Sequence, residues 1–300
     1  MASTVEASDA QARAVTGTIN FIVPGGDVYR RFVAKGQEAN IGDYEPHEVE
    51  IRNGRLAPDK LSLDRTGFQL LEHKSRVEDF FDSDEVHRTY PQEVCDAVKA
   101  ATGADLVLPM GWFIRTSGDK DLLKTSVGYK KGGGGIQPQA AEAHDDVHFT
   151  QGERRARQLY EEKAPDAEGY SRFIISSFWR CFSQPPQDWP LALCDGRSVA
   201  EGSGIPNTMV IVDELPDEAT MRAPMENEDA LPAASVFPYD PDMRWYYFPD
   251  MTRDEALLFK FYDSDKSRAW RVPHTAFHDK SRPNATTRRS IEFRTIAYFD

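Results

Sequence analysis

The chain has 300 residues, 40% of them hydrophobic, enough to bury a sizeable core in a β-rich barrel with added elements. Its net charge of −13 and pI near 5.1 argue against nucleic acid or an anionic membrane surface as a partner. No run of about 18 apolar residues offers a membrane-spanning helix. Three cysteines without a CxxC pair (Cys95, Cys181, Cys194) fit a reducing, cytoplasmic setting and no thiol nucleophile.

Residues 1–14 are small and polar, lack the apolar stretch of a secretory signal, and read as a flexible N-terminal tail. A single domain is expected over 15–300, with 15–89 supplying strands that extend or cover the main sheet and 90–300 forming the core. Gly17 to Val23 alternates as a strand. His47 to Ile51, Asn53-Gly54 and Gly67 to Leu71 read as a β-hairpin, because Asn-Gly is a strong turn signal. Tyr90 to Ala101 is expected to be a helix, with Pro91 near its start and Gly103 just past its end.

Leu106 to Thr116 is apolar and aromatic, a buried strand. Ser117 to Gln139 turns polar, and Lys130-Lys131 before four glycines lacks the ending of a phosphate loop, so a mobile loop beside the site is expected. Gly152 to Ala164 reads as a charged helix. Ser171–Cys181, Trp189–Cys194, Asn207–Val212, Arg244–Phe248, Ala256–Tyr262 and Ile291–Phe299 read as short strands, with an acidic loop at 213–234. Many short strands, few helices and no βαβ alternation predict a mainly β fold with flanking helices, an antiparallel barrel or jelly roll.

His144 and Asp146 form His-x-Asp, and residues two apart on a strand face the same way, so both can reach one metal. His274 completes two imidazoles and one carboxylate, a set that suits Fe(II) and leaves positions open for chemistry. Shortly afterwards Arg288, Ser290, Glu292 and Arg294 share one face of the last strand. A planar guanidinium grips a carboxylate through two parallel hydrogen bonds. Arg288 with Ser290 therefore suits a dicarboxylate cosubstrate, Arg294 being the fallback and a solvated ion-pair ladder the alternative. His144-x3-His148 and His274-x3-His278 also allow a four-histidine zinc site, but that spacing needs helix and these stretches are poor helix material. His148 is then either a pocket residue or a solvated strand end. Trp112, Trp179, Arg180 and Trp245 are further candidates for a substrate pocket.

Phe173 to Arg180, Trp189 to Asp195, Arg244 to Thr252, Glu255 to Asp263, His274 to Phe277 and Arg288 to Arg294 form an ordered series. Over roughly residues 90–300 the series resembles the AsaB hydroxylase/desaturase family, which includes gibberellin-desaturase-like and cephamycin-methoxylation (CmcJ) proteins. The resemblance implies a double-stranded β-helix (cupin-like) core. It places the metal ligands on His144, Asp146 and His274 and the 2-oxoglutarate arginine on Arg288, beside Ser290. This chain departs from the family at Ser177, Cys181 and His148. The expected activity is Fe(II)/2-oxoglutarate-dependent hydroxylation or desaturation of a small-molecule secondary metabolite, with O2 consumed and succinate and CO2 released. A cupin-like metal enzyme that ignores 2-oxoglutarate and a non-catalytic partner of a biosynthetic enzyme are the alternatives. Oligomeric state stays open, a homodimer included.

Overall fold

The computed structural model describes residues 12–35, 37–125 and 133–300. In chain order, β1 (Ala14–Ile22), β2 (Arg30–Ala34), β3 (Gln37–Ile41), β4 (Tyr44–Asn53) and β5 (Phe68–Glu72) precede the long helix α1 (Ser83–Thr102). Next come β6 (Leu106–Thr116), α2 (Lys120–Thr125), β7 (Gly135–Pro138), the two-residue β8 (His144–Asp145) and α3 (Gly152–Lys163). Then β9 (Arg172–Cys181), β10 (Leu191–Cys194), β11 (Ile205–Ile211), α4 (Glu218–Arg222) and β12 (Ala233–Val236) follow. The chain closes with β13 (Trp245–Tyr247), β14 (Glu255–Asp263), β15 (His274–Ala276) and β16 (Arg289–Phe299).

Among the described residues these strands make two sheets, a larger one ordered β1-β4-β13-β10-β15-β8-β12-β11-β2-β3 and a smaller one ordered β5-β14-β9-β16-β6-β7. Most pairings are antiparallel between strands distant in sequence, which is the jelly-roll arrangement. The apolar layer between the sheets includes Trp179, Leu193, Tyr246, Phe259 and Phe261. A second layer packs α1 on the outer face of the smaller sheet through Val86, Tyr90, Val94 and Val98 against Ile114, Phe178 and Phe293. A third, around Ile19, Phe21, Ile51, Trp245 and Phe277, lies beneath the β1–β4 pair on the outer face of the larger sheet.

Several expectations fail locally, the acidic loop at 213–234 among them, since it contains α4. Asn53-Gly54 makes no hairpin: Asn53 sits at φ −71 and its side chain accepts from the Arg55 N–H, opening a short 3-10 turn. A type I′ turn needs positive φ there, and β4 and β5 end in different sheets. Helix α1 begins well before Tyr90, where Asp82 accepts the N–H groups of Asp84 and Glu85, so Pro91 lies inside it. Gly103 does close the helix, at φ +74. The expected loop at 117–139 contains α2 and β7 at its ends, while Lys130-Lys131 and Gly132, like most of the N-terminal tail, lie outside the described residues.

Candidate metal centre

Strand β8 lies between β15 and β12, and His144 stands directly opposite His274 across the β8–β15 pair. His144 faces inward from β8 and Asp145 outward, toward Arg271, while Asp146, in the bend just past the strand, lies on the His144 side. One donor atom each from His144, Asp146 and His274 lies within 4.8 Å of the others, and all three residues are buried. Each imidazole is fixed from behind: His144 Nδ1 donates to the Glu142 carbonyl at 2.8 Å and His274 Nδ1 to that of Val272 at 3.1 Å. That choice of tautomer leaves both Nε2 lone pairs for a metal. His274 is further held between Phe259 and Phe261, at ring distances of 4.8 and 5.6 Å.

Asp146 Oδ2 sits 3.3 Å from His274 Nε2 and accepts no hydrogen bond, although it is buried. Burial opposes ionisation of Asp146, but Arg294 and the two histidines outweigh it and hold the carboxyl well below its usual range. Burial and the neighbouring His274 push His144 well below the ordinary imidazole value. The centre thus offers two imidazoles with Nε2 turned inward and an ionised carboxylate, with one orphaned oxygen turned toward the histidines. That donor set fits Fe(II).

Arg288, just before β16, and the inward face of that strand form a buried row, not a solvated ladder: Arg288, Ser290 and Glu292 are all below 5% exposed. Arg288 Nε and Nη2 and Ser290 Oγ have no hydrogen-bond partner. The Arg288 guanidinium lies 5.8 Å from the Trp179 ring, and burial pulls its pKa down to about 10. An arginine and a hydroxyl buried together without acceptors form a ready cradle for a carboxylate. The Arg288 backbone N–H is itself anchored, donating to Asp188 Oδ1 at 2.8 Å and to Ser117 Oγ at 3.0 Å. Arg294 does something else. Its Nη2 contacts Asp146 Oδ1 at 2.8 Å and its Nε contacts Glu292 Oε1 at 2.6 Å.

From Arg294 a charge chain runs outward, and sequence reasoning missed most of it. Arg115 Nε lies 3.9 Å from Glu292, Arg115 Nη1 3.5 Å from Glu38, and Arg31 Nη2 2.5 Å from Glu38. This chain borders a cavity of about 30 Å³ lined by Asp146, Arg294, Arg115, Arg31, Gln137 and Phe113, among others. A usable signal existed in β6, where Arg115 interrupts an otherwise apolar run two residues after Phe113. Strands β2, β3 and β7 carried no such signal.

The predicted pocket residues separate by parity. Trp179 lies inside, beside Arg288. Trp112 and Arg180 face the other side of the smaller sheet: Trp112 packs in the layer under α1, and Arg180 donates to Tyr90 Oη, His73 Nδ1 and the His73 and Arg253 carbonyls. Trp245 packs under the β1–β4 pair, while its neighbour Tyr246 faces the interior. His148 borders a different cavity, of about 570 Å³, with Arg30, Thr208 and Gln151. His278 is exposed and stacks on Trp189 at 5.2 Å, so no four-histidine cluster is assembled. Of the departures from the family, Ser177 stands opposite Arg294 and Cys181 opposite Ser290, both buried.

Residues 19–298 match the family described as Oxidoreductase/YMDC permease-like domain. The hydroxylase/desaturase CTB9 of Cercospora beticola is 32% identical over 254 residues, covering 81% of this chain and 75% of that protein. The Fe(II)/2-oxoglutarate-dependent dioxygenase nvfI of Aspergillus novofumigatus is 27% identical over 282 residues, 91% of each chain. Among solved structures, the iron and alpha-ketoglutarate-dependent endoperoxidase NvfI superposes with a TM-score of 0.76 at 23% identity, covering 96% of this chain and 98% of that one.

Proposed function

We propose a division of labour among the buried residues of this chain, which belongs to the hydroxylase/desaturase family. It is an Fe(II)/2-oxoglutarate-dependent dioxygenase that hydroxylates or desaturates a small-molecule intermediate of secondary metabolism. His144, Asp146 and His274 hold the iron, and Arg288 with Ser290 holds the far carboxylate of 2-oxoglutarate. One observation carries the reading: the same interior contains an orphaned carboxylate oxygen facing two oriented imidazoles and an unpartnered arginine–serine pair. A cupin-like enzyme indifferent to 2-oxoglutarate, or a silent partner protein, would have no use for that second cradle.

Bound Fe(II) with 2-oxoglutarate and O2 supplies oxidation of an unactivated C–H bond, releasing succinate and CO2. The protein's part is placement and exclusion of water. The backbone carbonyls of Glu142 and Val272 keep the two imidazoles in one tautomer. Arg294 occupies Asp146 Oδ1 and leaves Oδ2 to ligate. Arg288, desolvated against Trp179, meets its carboxylate in a dry setting where a paired charge counts for more than in water. The three unpaired thiols support a reducing, cytoplasmic setting. Among the described residues no helix is long and apolar enough to cross a membrane.

The test is anaerobic titration with Fe(II) and then 2-oxoglutarate, following the visible metal-to-ligand charge-transfer band. The band should form in the native protein and vanish in His274→Ala. Arg288→Ala should keep iron and weaken 2-oxoglutarate by roughly 100-fold, the scale of losing a buried charge-assisted pair. Unchanged 2-oxoglutarate affinity in Arg288→Ala would overturn the assignment.

A further inference from the structure

The small cavity beside Asp146 contains more polar capacity than the protein uses. Gln137 is 3% exposed, yet neither its Nε2 nor its Oε1 has a hydrogen-bond partner. Arg31, 7% exposed, keeps Nη2 on Glu38 but leaves Nε unpartnered. Both side chains line the cavity, and strand register explains why: Gln137 stands opposite Arg115 across β6–β7, and Arg31 opposite Met209 across β2–β11. Buried polar atoms without partners are costly and rare, so three of them around one hole beside a metal ligand mark a place for a ligand.

We propose that this cavity is the anchoring subsite for the organic substrate, and that it takes a neutral hydroxy-carbonyl head group carried on an apolar body. The inference rests on the reading of the centre as an iron site. The carbonyl oxygen accepts from Gln137 Nε2 and Arg31 Nε, and the hydroxyl donates to Gln137 Oε1. A carboxylate head is disfavoured on two grounds. It cannot donate, so Oε1 would stay orphaned. The charges here are also already matched, with Arg31, Arg115 and Arg294 set against Glu38, Glu292 and Asp146. A further buried anion would have no cation to itself. The volume of about 30 Å³ admits only a head group. Phe113, Val33 and Met209 supply the apolar remainder of the lining. Gln137 and Arg31 are thus specificity-determining residues, on strands the sequence did not single out.

The experiment loads the protein with Mn(II) and 2-oxoglutarate without oxygen and titrates two ring fragments, 3-hydroxycyclohexanone and 3-hydroxycyclohexane-1-carboxylate. Ligand-observed NMR reads affinity, and Mn(II) broadening reads closeness to the centre. The hydroxyketone should bind at least about tenfold more tightly than the carboxylate, broaden, and lose about tenfold in Gln137→Leu, the scale of orphaned or missing hydrogen bonds. Gln137→Glu, which keeps the shape and adds a charge, should lose as much, while 2-oxoglutarate affinity stays at its native value in both variants. Preference for the carboxylate, no binding of the hydroxyketone, or equal binding in both variants would overturn the proposal. A fall in 2-oxoglutarate affinity instead would assign Gln137 to the cosubstrate. Failure of the iron reading shows separately, as absence of Mn(II) binding by EPR, and the same fragments titrated into metal-free protein then test the subsite alone.

Discussion

At the scale of single residues, Arg294 has the most informative position. It is gripped by Glu292 and lies over the Phe113 and Phe261 rings at 4.8 and 5.4 Å, so it presents one fixed cation to Asp146. Burial alone would raise the Asp146 pKa, and Arg294 is the largest influence opposing it. Removing that cation by Arg294→Leu should therefore raise the carboxyl's pKa and make protons compete with the metal. Because the native pKa is depressed, ionisation of Asp146 persists as pH falls; in the variant it should be lost earlier. Mn(II) affinity measured by EPR should drop more at about pH 6 than at about pH 8, by about tenfold or more, while the native protein shows a smaller difference. A pH-independent loss would mean that Arg294 acts through shape and not through charge. The candidate triad was legible in the sequence because His-x-Asp is a local pattern, even though Asp146 stands in the bend just past β8. Arg294's partner was not, since nothing in the order of residues says which strand will bring a carboxylate to it.

At the scale of elements, one-residue parity decides what a side chain can do. Trp245 and Tyr246 are neighbours on β13, yet they enter layers on opposite sides of the larger sheet. Arg180 next to Trp179 gives the same contrast on β9. Trp179 reaches Arg288, whereas Arg180 ties the segment around His73 and the turn at Arg253 to Tyr90 of α1. Arg180→Ala should leave buried carbonyls unpaired and destabilise the fold by about 3 kcal/mol or more. Chemical denaturation would measure that, and 2-oxoglutarate affinity of the folded fraction should not move. A stable variant with impaired cosubstrate binding would place Arg180 in the site after all. Aromatic and β-branched runs made most strands visible, but an alternating run does not announce which of its two faces is inward. The start of α1 was hidden for another reason: Pro91 drew attention away from the cap at Asp82.

At the scale of the whole molecule, two sheets with the site between them follow from strand count and patterning, but their order does not. The pairs β4–β13 and β2–β11 are parallel and join residues far apart in sequence, and only the folded layers reveal them. The N-terminal strands take both ends of the larger sheet: β1 and β4 lie at one end, β2 and β3 at the other. From there β2 and β3 deliver Arg31 and Glu38 to the cavity beside Asp146.

That placement matters on the ribosome. Strands β1 to β4 are made well before some of their partners: about 190 residues separate Asn53 from Trp245, a delay on the order of ten seconds or more at ordinary elongation rates. Meanwhile β1 with β4, and β2 with β3, are two-stranded ribbons of marginal stability with open edges. A nascent chain in this condition needs shelter. Soluble yield in a cell-free translation system should rise when a holdase chaperone is present during synthesis and not when it is added afterwards. Equal yield under both schedules would mean that the early ribbons wait unaided.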